Sequence, residues 1–191
     1  MHASLNMPSE SDLLRYLTMS TIDKPLVNRV ANSGIITIDL EQYYPAEPVV
    51  AFDLKDYLYM ELILKEKDFR AALKEHDWTQ YDGKRLAVYC SADAIIPTWA
   101  YMLVTSMAQP HAVSVDYGTP DEVVRMHYQQ ALSAIEGTDY TDKRVVIKGC
   151  SDKPVPASAY VALSARLRPH VKSLMFGEPC SMVPIYKQPR K

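Results

Sequence analysis

The chain has 191 residues, of which 48% are hydrophobic and 23% are charged, and its formal net charge is −2. This composition is typical of a globular protein with one core, and the charge argues against the strongly basic surface of nucleic-acid or anionic-membrane binders. No apolar stretch approaches the ~20 residues of a membrane span. We therefore expect no nucleic-acid partner and no membrane partner.

The first residues predict a compartment, and that compartment bears on the state of the cysteines. The first 17 residues lack the apolar segment of a secretion signal, which predicts a cytoplasmic location. In that reducing compartment the three cysteines are expected to be free thiols or ligands rather than disulfides. The chain also contains no glycine-rich phosphate-binding motif.

The first half of the chain mixes strand and helix patterns. Residues 1–25 read as an appended arm, and residues 26–191 read as a single domain. The β-branched segment "SGIITIDLEQYYP" predicts a strand, and "EKDFRAALKEHDW" predicts a helix. Between them, "PVVAFDLKDYLYMELIL" is ambiguous and fits an extra strand followed by a short helix.

The second half contains an internal similarity. Residues 81–120 align without a gap on residues 140–179, and twelve of the forty aligned positions are identical. Each segment predicts a βαβ unit, with a proline at the first helical position (Pro97 and Pro156) and a Pro-His pair after the helix. The two prolines are aligned with each other, and so are the two histidines.

These units define the predicted fold. The first strands are predicted at Leu86–Val88 and Val145–Ile147, and the second strands at 112–117 and 171–176. A helix over "PDEVVRMHYQQALSAIEG" would join the units, with Gly137 as its C-cap. The sequence thus predicts a single three-layer α/β domain, with one mostly parallel sheet of about five strands and helices on both faces.

All three cysteines follow predicted strands. Ligands of open parallel sheets bind beyond the carboxyl ends of the strands, so we expect Cys90, Cys150 and Cys180 to share one edge of the sheet. Asp93 and Asp152 are expected at the same edge. Three thiolates suit a zinc ion or an iron–sulfur cluster, with Asp93, Asp152, Glu178 or solvent as a further ligand.

Two other interpretations stay open. Cys90 and Cys150 each precede a helix N-terminus, which stabilises a thiolate, so one cysteine could serve a thiol-dependent enzyme or a persulfide carrier. Cys150, Asp93 and Asp152 are the catalytic candidates for that function. Alternatively, the cysteines are buried structural residues of a non-catalytic interaction module. In the alignment Cys90 faces Gly149 and Cys150 faces Ser91, so the two thiols are offset by one residue.

Two histidines and two tyrosines are expected to have structural rather than chemical roles. His111 and His170 follow prolines at helix ends and are expected at the edge opposite the cysteines. Tyr101 and Tyr160 lie one turn into their helices, where they could approach the cysteine edge, although packing is their expected role.

Five motifs resemble one bacterial family. They are "VNRVANSGIITIDLEQYYP", "EKDFRAALKEHDW", "CSADAIIPTWAYML", "KGCSDKPVPASAYV" and "FGEPCSMVPIYK". From about residue 25 to the end, the chain is similar to the family called domain of unknown function 2480, which has no assigned activity. The resemblance implies that the three cysteines belong to the family pattern. It also implies genes that lie beside those of sulfur mobilisation for iron–sulfur cluster assembly. That implication favours an accessory role in iron–sulfur or sulfur metabolism, with sulfur-mobilisation proteins as partners.

Overall fold

The computed structural model of the chain describes residues 34–149, 152–178 and 181–189. Residues 1–33, which include the predicted arm 1–25, lie outside the described residues, so the boundary of that arm stays a prediction. From Gly34 onward the described chain forms one compact unit.

The described residues contain seven strands, four α-helices and four 3₁₀ turns. The strands are β1 (Ile35–Asp39), β2 (Val49–Asp53), β3 (Arg85–Tyr89), β4 (Ser114–Tyr117), β5 (Arg144–Lys148), β6 (Ser173–Glu178) and β7 (Ser181–Lys187). The helices are α1 (Glu66–Glu75), α2 (Thr98–Ala108), α3 (Pro120–Ser133) and α4 (Ala157–Leu167). The 3₁₀ turns are Leu40–Tyr43, Leu54–Tyr57, Trp78–Tyr81 and Gly137–Tyr140. No helix among these residues is long and apolar enough to cross a membrane.

The described strands form two sheets. Strands β2, β3 and β4 pair in that order in a three-stranded parallel sheet. Strands β1, β5 and β6 pair in parallel in a second sheet, and β7 adds to β6 in the antiparallel direction. The α/β class is confirmed, but the prediction of one sheet of about five strands is wrong.

The pairing of β1 explains the error. This strand pairs with β5, more than a hundred residues later in the chain, whereas its neighbour β2 belongs to the other sheet. Apolar periodicity identifies a buried strand but not the strand beside it. The three-stranded sheet is therefore built from one continuous segment that is inserted between β1 and the rest of the four-stranded sheet.

The two sheets are built from elements of matching length. Strands β3 and β5, helices α2 and α4, and the turns Trp78–Tyr81 and Gly137–Tyr140 are equal in length and lie 59 positions apart. Strands β1 and β2 lie only 14 positions apart, and each is followed by a four-residue 3₁₀ turn. Each sheet consequently has an Asp-capped turn after its first strand.

Each sheet has its own hydrophobic core, and α3 contacts both sheets. The core of the three-stranded sheet contains Phe69 and Leu73 of α1 with Leu86 and Val88 of β3, together with α2. The core of the four-stranded sheet contains residues of α3, α4, β1, β5 and β6. Helix α3 also contacts β2 and β3, so it lies between the two sheets and joins them.

Some local predictions differ from the structure. Helix α3 ends at Ser133 with Ala134 as its C-cap, so the prediction of Gly137 as the cap is wrong. Gly137 instead begins a 3₁₀ turn, where a Cβ would lie 2.6 Å from the Arg166 carbonyl oxygen. Pro97 and Pro156 are N-caps, one residue before the predicted position. Strand β7 has no counterpart in the prediction.

Candidate functional site

The carboxyl-terminal edge of the three-stranded sheet holds a carboxylate that the sequence analysis missed. Asp53 ends β2, and its Oδ1 accepts hydrogen bonds from the backbone N–H of Lys55 at 2.9 Å and of Ser91 at 3.0 Å. Desolvation raises the pKa of Asp53, but the hydrogen bonds from Ser91 and Lys55 outweigh it and hold the pKa below its ordinary value. Asp53 is therefore an ionised group that fastens the loop after β3 to the end of β2.

Cys90 is half-buried beside this carboxylate. Its Sγ lies 3.6 Å from the carbonyl oxygen of Ala92, which fits a weak S–H donor. The thiol also packs against the core of the three-stranded sheet. Cys90 is thus a free thiol at the end of β3, in the position that the sequence predicts.

Tyr101 completes this group of side chains. Its ring packs edge-to-face on Tyr117, which ends β4, with the ring centroids 5.2 Å apart. Desolvation raises the pKa of Tyr101, and Tyr117, Cys90 and Asp53 raise it further through their charges. The phenol consequently stays protonated near a thiol and a carboxylate. Tyr101 and Cys90 pack against the same core, so Tyr101 has the packing role expected of it and also lies at the sheet edge that holds Cys90.

The carboxyl-terminal edge of the four-stranded sheet carries an ion triplet. Lys148 ends β5, and its Nζ lies 3.1 Å from Asp39 Oδ2 on β1 and 3.6 Å from Glu178 Oε1 on β6. The hydrogen bond from Lys148 to Asp39, together with the charges of both carboxylates, raises the pKa of Lys148 above its ordinary value. A cation therefore links the ends of all three parallel strands of this sheet.

The backbone beside this triplet explains the one-residue offset between the thiols. Tyr160 donates a 2.6 Å hydrogen bond to the carbonyl oxygen of Gly149. A Cβ on Gly149 would lie 3.0 Å from both the Tyr160 hydroxyl and Leu40 Cβ, and its φ is +149°. A side chain is therefore disfavoured at 149, whereas the equivalent Cys90 has room to pack in its core.

Gly149 and Asp152 flank residues 150 and 151 and line one open cleft of about 650 Å³. Tyr160 and Phe176, which pack edge-to-face with centroids 5.6 Å apart, form its aromatic wall. The cleft lies where ligands of parallel sheets bind.

The structure describes some of the predicted site residues and not others. Cys150 and Cys180 lie outside the described residues, so the three-cysteine site stays a prediction. Strand β5, which Gly149 follows, and strand β6, which Glu178 ends, belong to the four-stranded sheet, whereas Cys90 follows a strand of the three-stranded sheet. The expectation that the strands before all three cysteines share one edge is therefore wrong. The described residues contain no group of three or more His, Cys, Asp or Glu side chains that could hold a metal.

The aspartate candidates occupy exposed loops. Asp93 is exposed and makes no hydrogen bond or ion pair with the described part of the chain. Asp152 is exposed as well, and its backbone N–H donates to Glu41 at 3.3 Å. The missed residues Asp39 and Asp53 had a signal in the sequence. Both stand in an apolar-Asp-Leu triplet after a strand pattern, and the two triplets lie only 14 positions apart.

The histidines occupy helix ends, as predicted. His111 Nδ1 lies 3.0 Å from Asp82 Oδ1, between α2 and β4. His170 packs closely on Gly137. His76 lies between two phenols instead, 3.2 Å from the Tyr57 hydroxyl and 3.0 Å from the Tyr81 hydroxyl.

Comparison with known proteins identifies the family of this chain but assigns no activity to it. No curated protein and no solved structure matches the chain. The family model described as a protein of unknown function (DUF2480) matches residues 24–188 of the 191-residue chain. The match covers every described strand and helix, so this protein belongs to the DUF2480 family.

Proposed function

We propose that this protein is an accessory factor of iron–sulfur or sulfur metabolism, with a thiolate site that binds zinc or an iron–sulfur cluster through Cys150 and Cys180. One observation carries the proposal: Gly149 and Glu178, which precede the two thiols by one and two residues, follow or end the neighbouring parallel strands β5 and β6. Neighbouring strands are about 4.8 Å apart, close enough for one metal to take a ligand from each.

The remaining ligands have candidates nearby. Asp152 and Glu178 lie beside the two cysteines in the chain, and carboxylate oxygens bind zinc. Cys90 follows a strand of the other sheet, so the proposal treats it as a separate thiol rather than as the third ligand. Thiolate ligands of this kind persist in a reducing compartment, which agrees with the predicted cytoplasmic location and with partners that mobilise sulfur.

Elemental analysis and a visible spectrum of anaerobically purified protein test the proposal. We expect bound zinc or the absorbance of an iron–sulfur cluster, and its loss in Cys150→Ser and in Cys180→Ser. Cys90→Ser is the matched control and should retain the metal. Colourless, metal-free protein whose stability is unchanged by a chelator would refute the site and favour the non-catalytic interaction module.

A second candidate function rests on the group at the other sheet. Cys90 and Tyr101 pack against one core, and the N–H of Ser91, next to Cys90, donates to Asp53, so a thiol, a phenol and an ionised carboxylate lie at one carboxyl-terminal sheet edge. The thiol can supply a nucleophile and the phenol a proton donor. The function would be a thiol-dependent reaction or the transport of a persulfide.

Alkylation of the Cys150→Ser/Cys180→Ser double variant, whose one cysteine is Cys90, tests this candidate. Alkylation of Cys90 faster than that of free cysteine at neutral pH, and slower after Tyr101→Phe, would support it. A rate equal to free cysteine that does not respond to Tyr101→Phe would reject it.

A further inference from the structure

The amino-terminal edge of the four-stranded sheet bears a basic cleft. It has a volume of about 1020 Å³ and lies at the opposite end of β5 from Lys148. Four of its described lining residues are cations and one is a carboxylate, Asp142. The cations are Lys143, Arg144, Lys172 and Lys187.

The sheet register arranges part of this charge in a row. Arg144 on β5 pairs with Ser173 on β6, and Ser173 pairs with Lys187 on β7. Directly paired residues lie on the same face of a sheet, so a hydroxyl stands between a guanidinium and an ammonium group. A guanidinium fork, a point charge and a hydroxyl are the groups that proteins use to bind phosphate oxygens.

Backbone hydrogen bonds fix a second row just outside the first. The N–H of Lys172 donates to the Lys143 carbonyl oxygen at 2.8 Å, and the N–H of Gln188 donates to the Lys172 carbonyl oxygen at 2.9 Å. Lys143 and Lys172 are therefore held side by side on neighbouring chain segments. A ligand with several negative charges could contact both rows.

A glycine lines the cleft close to the guanidinium of Arg144. Gly34 forms part of the lining with φ +61°, and a Cβ there would lie 3.8 Å from Arg144 Nη2. A larger residue at this position would narrow the space next to the arginine.

The other sheet supplies an internal comparison at its equivalent edge. Arg85 and Ser114 are the counterparts of Arg144 and Ser173 and pair in the same register. Arg85 Nε lies 3.0 Å from Glu47 Oε2, and the Ser114 hydroxyl donates to an Asp116 carboxylate oxygen at 2.8 Å.

Met175 stands at the position of Asp116, and Lys172 stands where the other half has Val113. Within the described residues, Lys143, Lys172 and Lys187 form no ion pair. Lys172, and the methionine that replaces Asp116, thus distinguish this edge from its counterpart in the other sheet.

We propose that this cleft binds a small anion with adjacent phosphate groups, such as inorganic pyrophosphate or the diphosphate of a nucleotide. Four cations and a hydroxyl that line one cleft suit a compact ligand with several charges. The net charge of −2 over the whole chain argues against a long polyanion, which needs an extended basic surface. The proposal is independent of the thiolate site.

Isothermal titration of the full-length protein with inorganic pyrophosphate tests the proposal. We expect saturable binding that weakens as sodium chloride is raised, because exposed charges are screened. Lys172→Val installs the residue of the other half and should weaken binding about tenfold, because it removes one charge-assisted contact with the anion. Ser173→Ala should weaken it less, because it removes a neutral donor.

Lys84→Val is the matched control. Lys84 is the counterpart of Lys143 in the other half, carries the same charge and lies outside the cleft lining. We expect it to leave pyrophosphate binding unchanged, and urea unfolding of each variant verifies that it is folded. Absent binding, an equal loss in Lys84→Val, or tight binding of a single-stranded oligonucleotide without binding of pyrophosphate would each overturn the proposal.

Discussion

The hydroxyl of Tyr128 offers a direct test of how the four-stranded core is held together. Tyr128 lies on α3 and is 1% exposed, and its hydroxyl donates a 3.0 Å hydrogen bond to the Leu40 carbonyl oxygen in the turn after β1. This bond joins two chain segments 88 residues apart. Tyr128→Phe removes the hydroxyl and keeps the ring.

The expected loss follows from the burial of both partners. A buried hydrogen bond contributes about 0.5–1.5 kcal/mol net, and a buried group left without a partner costs about 1–3 kcal/mol. We expect Tyr128→Phe to lower the free energy of unfolding by about 1–2 kcal/mol, which for a chain of this length lowers the midpoint of thermal unfolding by about 2–8 °C.

Urea unfolding at neutral pH measures this loss. Tyr89→Phe is the matched control, because Tyr89 is half-buried at the end of β3 and its hydroxyl makes no hydrogen bond with the described residues. We expect a change within about 0.5 kcal/mol for the control. Equal losses in the two variants, or no loss in Tyr128→Phe, would refute the reasoning.

Alkaline pH adds an independent measurement. Burial raises the pKa of Tyr128 to about 12, with smaller contributions from the charges of Tyr44, Glu41 and Asp39. A raised folded-state pKa gives stability that is present below the unfolded value of about 10 and is lost as the pH rises towards the folded value. The difference in stability between wild type and Tyr128→Phe should therefore shrink above about pH 10.

Three further predictions test other parts of the structure. Gly149→Ala should lower the free energy of unfolding by about 2–3 kcal/mol, because its Cβ would approach a tyrosine hydroxyl and a leucine Cβ at 3.0 Å. The control Gly83→Ala places its Cβ in open space and should lower the free energy of unfolding, measured in urea, by only about 1 kcal/mol. Burial lowers the pKa of His76, so wild type should lose stability as the pH falls below about 6.5, and denaturation between pH 7 and pH 5 should show a smaller loss in His76→Ile. Asp53→Asn should lower the free energy of unfolding by about 1–2 kcal/mol, because it weakens the capping hydrogen bond from Lys55 and the hydrogen bond from the loop after β3. Asp93→Asn should change the midpoint of urea unfolding little, and equal effects of the two variants would contradict the assigned role of Asp53.

The candidate sites show which features a residue pattern predicts and which it does not. The position of Cys90 at the end of a strand follows from a short apolar run that stops at a polar loop, because burial requires such a run. Its proximity to Asp53 does not follow from that run. The pairing of β2 with β3 brings the two residues together, and 36 other residues separate them in the chain.

The basic cleft depends even more on tertiary structure. Arg144, Ser173 and Lys187 are scattered over three segments, and a net charge of −2 gives no indication of a basic cleft. Strand register alone places them in one row, and β7, which completes that row, has no counterpart in the predicted fold.

The sequence by itself determined the α/β class, the family and the identity of nearly every strand and helix, because each of these depends on local burial patterns and motifs. Only the tertiary structure decided that the strands divide between two sheets. Strand pairing depends on contacts between distant parts of the chain. Strand β1 pairs with β5, although the segment that forms the three-stranded sheet lies between them in the chain, and α3 packs against both sheets. That pairing separated the strand that precedes Cys90 from the strands that precede Cys150 and Cys180, and a local pattern contains no information about it.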